Sequence, residues 1–118
     1  MFDGPEPIYQ QIAEHLRRQI VTGNLREEEQ VMSTTQFSTT YRINPATAAK
    51  AFALLVDEGI LYKQRGVGMF VAPGAPAALL ASGREAFFAE HLDPVLAEAA
   101  ALGITEGEII AHIKGATS

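Results

Sequence analysis

The stretch "INPATAAKAFALLVDEGILYKQRGVGMFVA", Ile43–Ala72, decides the fold. Asn44 is a strong N-cap and Pro45 suits the first helical position, so a helix start here is sharply specified. The next turn is Ala46, Thr47, Ala48 and Ala49, trimmed to methyls and one hydroxyl before Lys50 and Phe52 restore bulk. Ala48, Ala51, Phe52 and Leu55 share one helical face, and Gly59 provides the stop. Beyond it, "ILYKQ" and "MFVA" are β-prone runs separated by "RGVG", where two glycines permit a tight reversal. The stretch is expected to form a helix followed by a β-hairpin.

Upstream, "PIYQQIAEHLRRQIVTG" spaces Ile8, Ile12, Leu16 and Ile20 four residues apart, with Tyr9 and Ala13 beside them. That is one apolar helical face, closed by Gly23-Asn24. "MSTTQFSTTY" reads as a short second helix, in which Ser33 and Gln36 form a capping box. Three helices and a glycine-tipped hairpin make a winged helix-turn-helix, with the third helix as the recognition helix. Such a helix sets its N-terminal residues against base edges in the major groove. Trimmed side chains let its backbone come close, Thr47 offers a hydroxyl or a methyl to a base, and the N–H groups of Ala46 and Thr47 suit a phosphate.

Downstream, Pro73-Gly74 and "GAPAA" mark a boundary between a domain at 1–73 and a region at 74–118. In the latter, Phe88, Leu92, Val95, Ala99 and Leu102 recur at spacings of four and three, the pattern of a pairing helix. Asp93-Pro94 is expected to kink or restart that helix, and Gly103 to end it. "ITEGEII" opens a last helix, with Thr105 and Glu108 as its capping box. A tail of 45 residues makes a poor core by itself, so packing against a second copy explains the apolar seam best.

Composition limits the alternatives. The chain has 118 residues, 47% apolar and 19% charged, enough for a real core. There is no cysteine, which excludes disulfides, thiolate zinc sites and cysteine nucleophiles. "MFDGPEPIYQ" lacks the basic start and apolar run of a signal peptide, and no apolar stretch reaches the ~20 residues that span a bilayer. A soluble, cytoplasmic protein without membrane contact is expected. The net charge of −5 is unevenly spread. Residues 1–73 hold seven cations and eight acids, whereas 74–118 hold two cations and six acids. Arg42, Lys50, Lys63 and Arg65 lie within one short segment against Asp57 and Glu58, so the acidic total leaves a locally basic surface for DNA.

No catalytic constellation emerges. His15, His91 and His112 fall on different helices at no metal-ligand spacing. Gly66-Val67-Gly68 precedes a strand where a phosphate loop requires a helix. Glu27-Glu28-Glu29 reads as a solvated loop, and Ser33-Thr34-Thr35 as a helix cap. Neither an enzyme nor a metal or cofactor site is expected. A winged helix turned protein-interaction module, with weak or no DNA binding, is the alternative function.

"PIYQQIAEHLRRQIVTGNL", "INPATAAKAFALLVDEGIL" and "RGVGMFVA" resemble the DNA-binding domain of GntR-type bacterial transcription regulators. The tail, with "LAEAAALGITEGEII", is similar to the YtrA-like branch, which carries a small two-helix dimerisation region. The resemblance spans residues 5 to about 114. It implies a homodimeric regulator, usually a repressor, on an inverted-repeat operator at the nucleoid. It leaves open a small-molecule effector. The DNA-binding residues it implies, joined to those read above, are Ser33, Thr34, Thr35, Arg42, Asn44, Pro45, Ala46, Thr47, Lys50, Arg65, Gly66 and Gly68. The dimer seam is Phe88, Leu92, Val95, Ala99 and Leu102, continued by Ile109 and Ile113. The chain departs from the family at four places. Thr35 and Ala49 stand where arginines are usual, Met69 replaces the wing threonine, and Glu27-Glu28 replaces a Pro-Gly turn.

Overall fold

Local chemistry at the helix ends sets the order of elements. The computed structural model describes residues 2–117. It contains α1 (Ile8–Val21), α2 (Thr34–Tyr41), α3 (Pro45–Asp57), β1 (Leu61–Gln64), β2 (Gly68–Val71), α4 (Ala75–Phe87), α5 (Asp93–Ala101) and α6 (Glu106–Thr117). Two compact units result, residues 1–80 and 81–118, with the division inside α4.

In the first unit, Ser33 caps α2 by accepting from the Gln36 N–H, while the Gln36 side chain accepts from the Ser33 N–H, both at 3.0 Å. Asn44 caps α3, its Oδ1 accepting the Ala46 N–H at 2.8 Å. Gly59 follows α3 at φ +77°, a left-handed conformation that releases the chain toward β1. The turn between α2 and α3 contains no glycine, so Arg42 itself adopts φ +54°. Buried Ser38 secures this turn, its hydroxyl donating to the Ile43 carbonyl at 2.6 Å.

The hairpin pairs β1 and β2 antiparallel, Leu61 opposite Val71 and Gln64 opposite Gly68. The segment before α2 adds a lane beside β2. Gln30 bridges Phe70, and Val31 N–H donates to the Met69 carbonyl at 2.9 Å. The core gathers Ile12, Leu16 and Ile20 of α1, Phe37 of α2, the expected face of α3, and Leu61 and Val71 of the hairpin. Ile8 departs from its expected place: it is 47% exposed, outside the core its spacing suggested. Arg17 and Glu58 tie α1 to the end of α3, Nη2 lying 2.8 Å from both carboxylate oxygens.

The first turn of α4 belongs to this unit. Ala75 is buried in the core, Leu79 packs against it, and the Glu27 carboxylate accepts from the Gly74 N–H. In the second unit, α4 ends in a π-helical turn, Phe88–Leu92, ahead of α5. Asp93 and Pro94 open α5, the restart expected there, and Gly103 follows it at φ +75°. Thr105 Oγ1 accepts the Glu108 N–H at 3.2 Å, starting α6.

Candidate nucleic-acid interface

The beginning of α3 lies open. Asn44, Pro45, Ala46, Ala49 and Lys50 are exposed, and Ala48 and Ala51 are fully buried behind them. The exposed alanines carry no bulk, so a surface is able to approach the helix axis closely at this end. At the start of α2, Ser33 and Thr35 are exposed and Thr34 is half-buried. Arg42 is exposed at the turn joining the two helices. The hairpin ends in a turn closed by the Val67 N–H donating to the Gln64 carbonyl at 2.9 Å. Arg65 sits exposed on this turn and Gly66 fills its φ +78° position.

Four details differ from the expectations. The Ala46 N–H is engaged by Asn44 Oδ1, so the cap that starts the helix removes one donor expected for a phosphate. Thr47 is half-buried instead of prominent, lining a shallow recess with Ile8, Tyr9, Ala46 and Lys50. The Lys50 ammonium does not extend freely, but lies 4.0 Å from the centre of the Tyr9 ring. Gly68 also has a different reason to be glycine than close approach to DNA. Its φ is +147°, and a Cβ there would come within 2.5 Å of the Gln30 amide, which donates to the Val67 carbonyl at 3.0 Å.

Glu58, one of two acids within the basic segment 42–65, is neutralised by Arg17 of α1. The pairings of Tyr9 with Lys50, Gln30 with Val67 and Arg17 with Glu58 were not legible, since each joins residues distant in sequence. Among the described residues no group of three metal-ligating side chains gathers, and no helix is long and apolar enough to cross a membrane.

Residues 8–71 match the family described as bacterial regulatory proteins, gntR family. The chain belongs to the gntR family.

Relatives of this gntR chain include the HTH-type transcriptional repressor NagR of Bacillus subtilis, 38% identical over 68 residues. That match covers 58% of this chain but 28% of NagR, so the chain spans less than a third of that relative. The repressor YtrA of the same organism is 28% identical over 98 residues, 83% of this chain and 75% of YtrA. Among solved structures, a GntR family transcriptional regulator from Listeria monocytogenes superposes with a TM-score of 0.74 at 28% identity, over 97% of this chain and 98% of that one. The DNA-binding domain of AraR, solved in complex with operator ORX1, matches 61% of this chain and 93% of its own at 28% identity and a TM-score of 0.57. The mostly helical architecture with its two-stranded wing is thus the winged helix of gntR regulators.

The second unit of the gntR chain carries a different surface. Phe88 is 52% exposed, Val95 57% and Leu102 69%, and Ile113 is exposed as well. Leu92 and Ile109 are half-buried. Ala99, the one seam residue that is buried in the single chain, accepts the Ile104 N–H on its carbonyl at 2.9 Å. Phe87, Leu96 and Ile110 are exposed beyond the expected set.

Proposed function

We propose that this gntR-family chain is a cytoplasmic repressor without catalytic activity, reading an inverted-repeat operator as a homodimer. One observation carries the reading: a helix start stripped to alanines and left open on a winged-helix unit, with a cation at the α2–α3 turn and another at the wing tip. The AraR operator complex supports the same use of the same unit.

In this reading α3 enters the major groove. Ala46, Thr47 and Ala49 lie nearest the bases, Ser33, Thr34, Thr35 and Arg42 follow the adjacent backbone, and Arg65 with Gly66 follows it at the wing. Gly68 contributes by shaping the wing. Thr35 and Ala49 are unable to fork onto guanine as arginine does. Base reading therefore leans on methyl contacts and short polar groups, and dimer symmetry multiplies a thin specificity. Phe88, Leu92, Val95, Leu102, Ile109 and Ile113 form the homodimer contact, because exposed apolar side chains on a short appendage are buried best by a second copy.

The test is a mobility shift against duplexes selected from a randomised library, repeated across a salt series. Arg65→Ala should weaken binding to every duplex and lower the salt slope by about one per subunit, as expected when one phosphate contact is lost. A loss confined to one base position would contradict the backbone role of the wing. No salt-dependent shift with any duplex would leave the protein-interaction reading of the winged helix.

A further inference from the structure

Lys50 is the long cation of the recognition helix, and its position is set from another helix. Side chains on a helix lean toward its N-terminus, so Lys50 passes over Thr47 and Ala46, three and four residues earlier. There it meets α1. The ammonium stands 4.0 Å from the centroid of Tyr9, and the same recess is lined by Ile8, Ala46 and Thr47. An ammonium above a tyrosine face is attracted by the ring quadrupole. Tyr9 is itself half-buried and packs against the core, so its ring has fewer positions open to it than a fully exposed side chain.

We infer that Tyr9 is a positioning residue for DNA binding: its ring holds the Lys50 charge at the junction of α1 and α3, where it meets backbone phosphate instead of a base edge. The inference rests on the DNA-binding reading and assigns Lys50 its target within it. Two observations favour phosphate. The Ala46 N–H beside Lys50 is engaged by Asn44, so one of the two backbone donors at this end of α3 is taken and more of the positive charge there falls to the lysine. A lysine folded back onto the neighbouring helix is also withdrawn from the forward direction in which a side chain reaches guanine N7 and O6. Lys50 then contributes affinity common to all sequences, and specificity falls to the small groups at Ala46, Thr47 and Ala49. Tyr9 becomes a determinant of how DNA is held without carrying any charge of its own.

The contact and its consequence are tested separately in the full-length protein. In the free protein, the ring current of Tyr9 should move the Lys50 ε-methylene protons upfield in NMR spectra. Tyr9→Phe should keep that shift and Tyr9→Leu abolish it. Random-coil shifts in the wild type would overturn the inference without bearing on DNA binding. Binding is then measured by fluorescence anisotropy, at several salt concentrations, on a duplex selected by the wild type and on a mixed-sequence duplex of equal length. Tyr9→Leu should weaken both by about two- to fivefold, the range of an exposed cation–π contact, while Tyr9→Phe stays near wild type. Lys50→Met should weaken both duplexes and lower the salt slope by about one per subunit. Adding Tyr9→Leu to Lys50→Met should then change nothing further. A Tyr9→Leu loss that persists in the Lys50→Met background overturns the inference, as does a Lys50→Met loss restricted to the selected duplex. Wild type that binds neither duplex at any salt overturns the DNA reading as well.

Discussion

The two units of this chain bury their apolar residues differently. Among the described residues, every buried apolar side chain lies at or before Ala75, except Ala99. In the first unit Ile12, Phe52, Leu55 and Val71 are closed off almost completely, by neighbours drawn from three helices and a hairpin. In the second, Phe87, Phe88, Val95 and Leu102 stay half or more exposed. A unit that completes its own core has one surface free to specialise, as the start of α3 has. A unit that leaves its apolar side chains open keeps that area available for a partner. The difference supports the proposal that one unit meets DNA and the other a second copy.

The most severe way to break this contrast is within the closed core. Phe52→Ala removes a ring that packs edge-on to Phe37, with centroids 5.6 Å apart. It should cost about 3–5 kcal/mol in denaturant unfolding, the usual range for a buried phenylalanine. A cost below about 1 kcal/mol would mean that the first unit tolerates a cavity and is less well packed than its burial indicates.

The open surface should respond in the opposite way. Val95→Asp places a charge on a side chain that is already 57% exposed, so the fold should persist, with an unchanged far-ultraviolet circular dichroism spectrum. The oligomer should not. Sedimentation velocity should show a monomer, together with weaker binding to a palindromic duplex. A persisting dimer would place the subunit contact elsewhere.

A smaller effect is expected at the wing. Gly68→Ala should cost about 1–3 kcal/mol, since it combines a backbone conformation reserved for glycine with a clash against Gln30. Gly66→Ala meets open space and carries the backbone penalty alone. Gly68→Ala should therefore show the lower urea midpoint of the two variants. Equal midpoints would show that the φ of Gly68 and its contact with Gln30 together cost no more than the φ of Gly66.

The smallest effect concerns pH. Burial, and then the charge of Arg18, hold the His15 pKa below its ordinary 6.5. The unfolded chain therefore binds the proton more readily than the folded one. Stability should be fully present above about pH 7 and decline as pH falls through 6.5 and below, toward the folded-state pKa. His15→Gln should remove this component from a stability profile between about pH 5 and 8. A profile identical to wild type would remove His15 from the account.

Much of the fold was legible because its decisive signals are local. Ser33 with Gln36, Asn44 with Pro45, and Gly59 each act within a few residues, and all three work as their neighbours in sequence indicate. The inner face of α3 followed from spacing alone. What could not be read connects residues far apart in the chain. Gln30 meets Val67 across 37 positions and Arg17 meets Glu58 across 41, while Lys50 finds Tyr9 on another helix. Periodicity identifies which face of a helix turns inward, but says nothing about which outward side chain finds a partner. Thr47 is less open than its place in the helix start suggests for a related reason: it shares its recess with Ile8 and Tyr9 of a neighbouring helix.

The lane that Glu28–Val31 lays beside β2 has a consequence for the order in which the molecule assembles. Two strands of four residues are marginal alone, and here Glu28, Val31 and Val71 donate backbone hydrogen bonds between that segment and β2. Closing them requires a loop across most of the first unit, whereas each helix forms from contacts only a turn apart. The lane between that segment and β2 is therefore expected to close later than the helices on the way to the native state, an order that hydrogen-exchange pulse labelling would check. A single cleavage between residues 26 and 32 would loosen that lane while leaving the β1–β2 pairing and the helices their own hydrogen bonds.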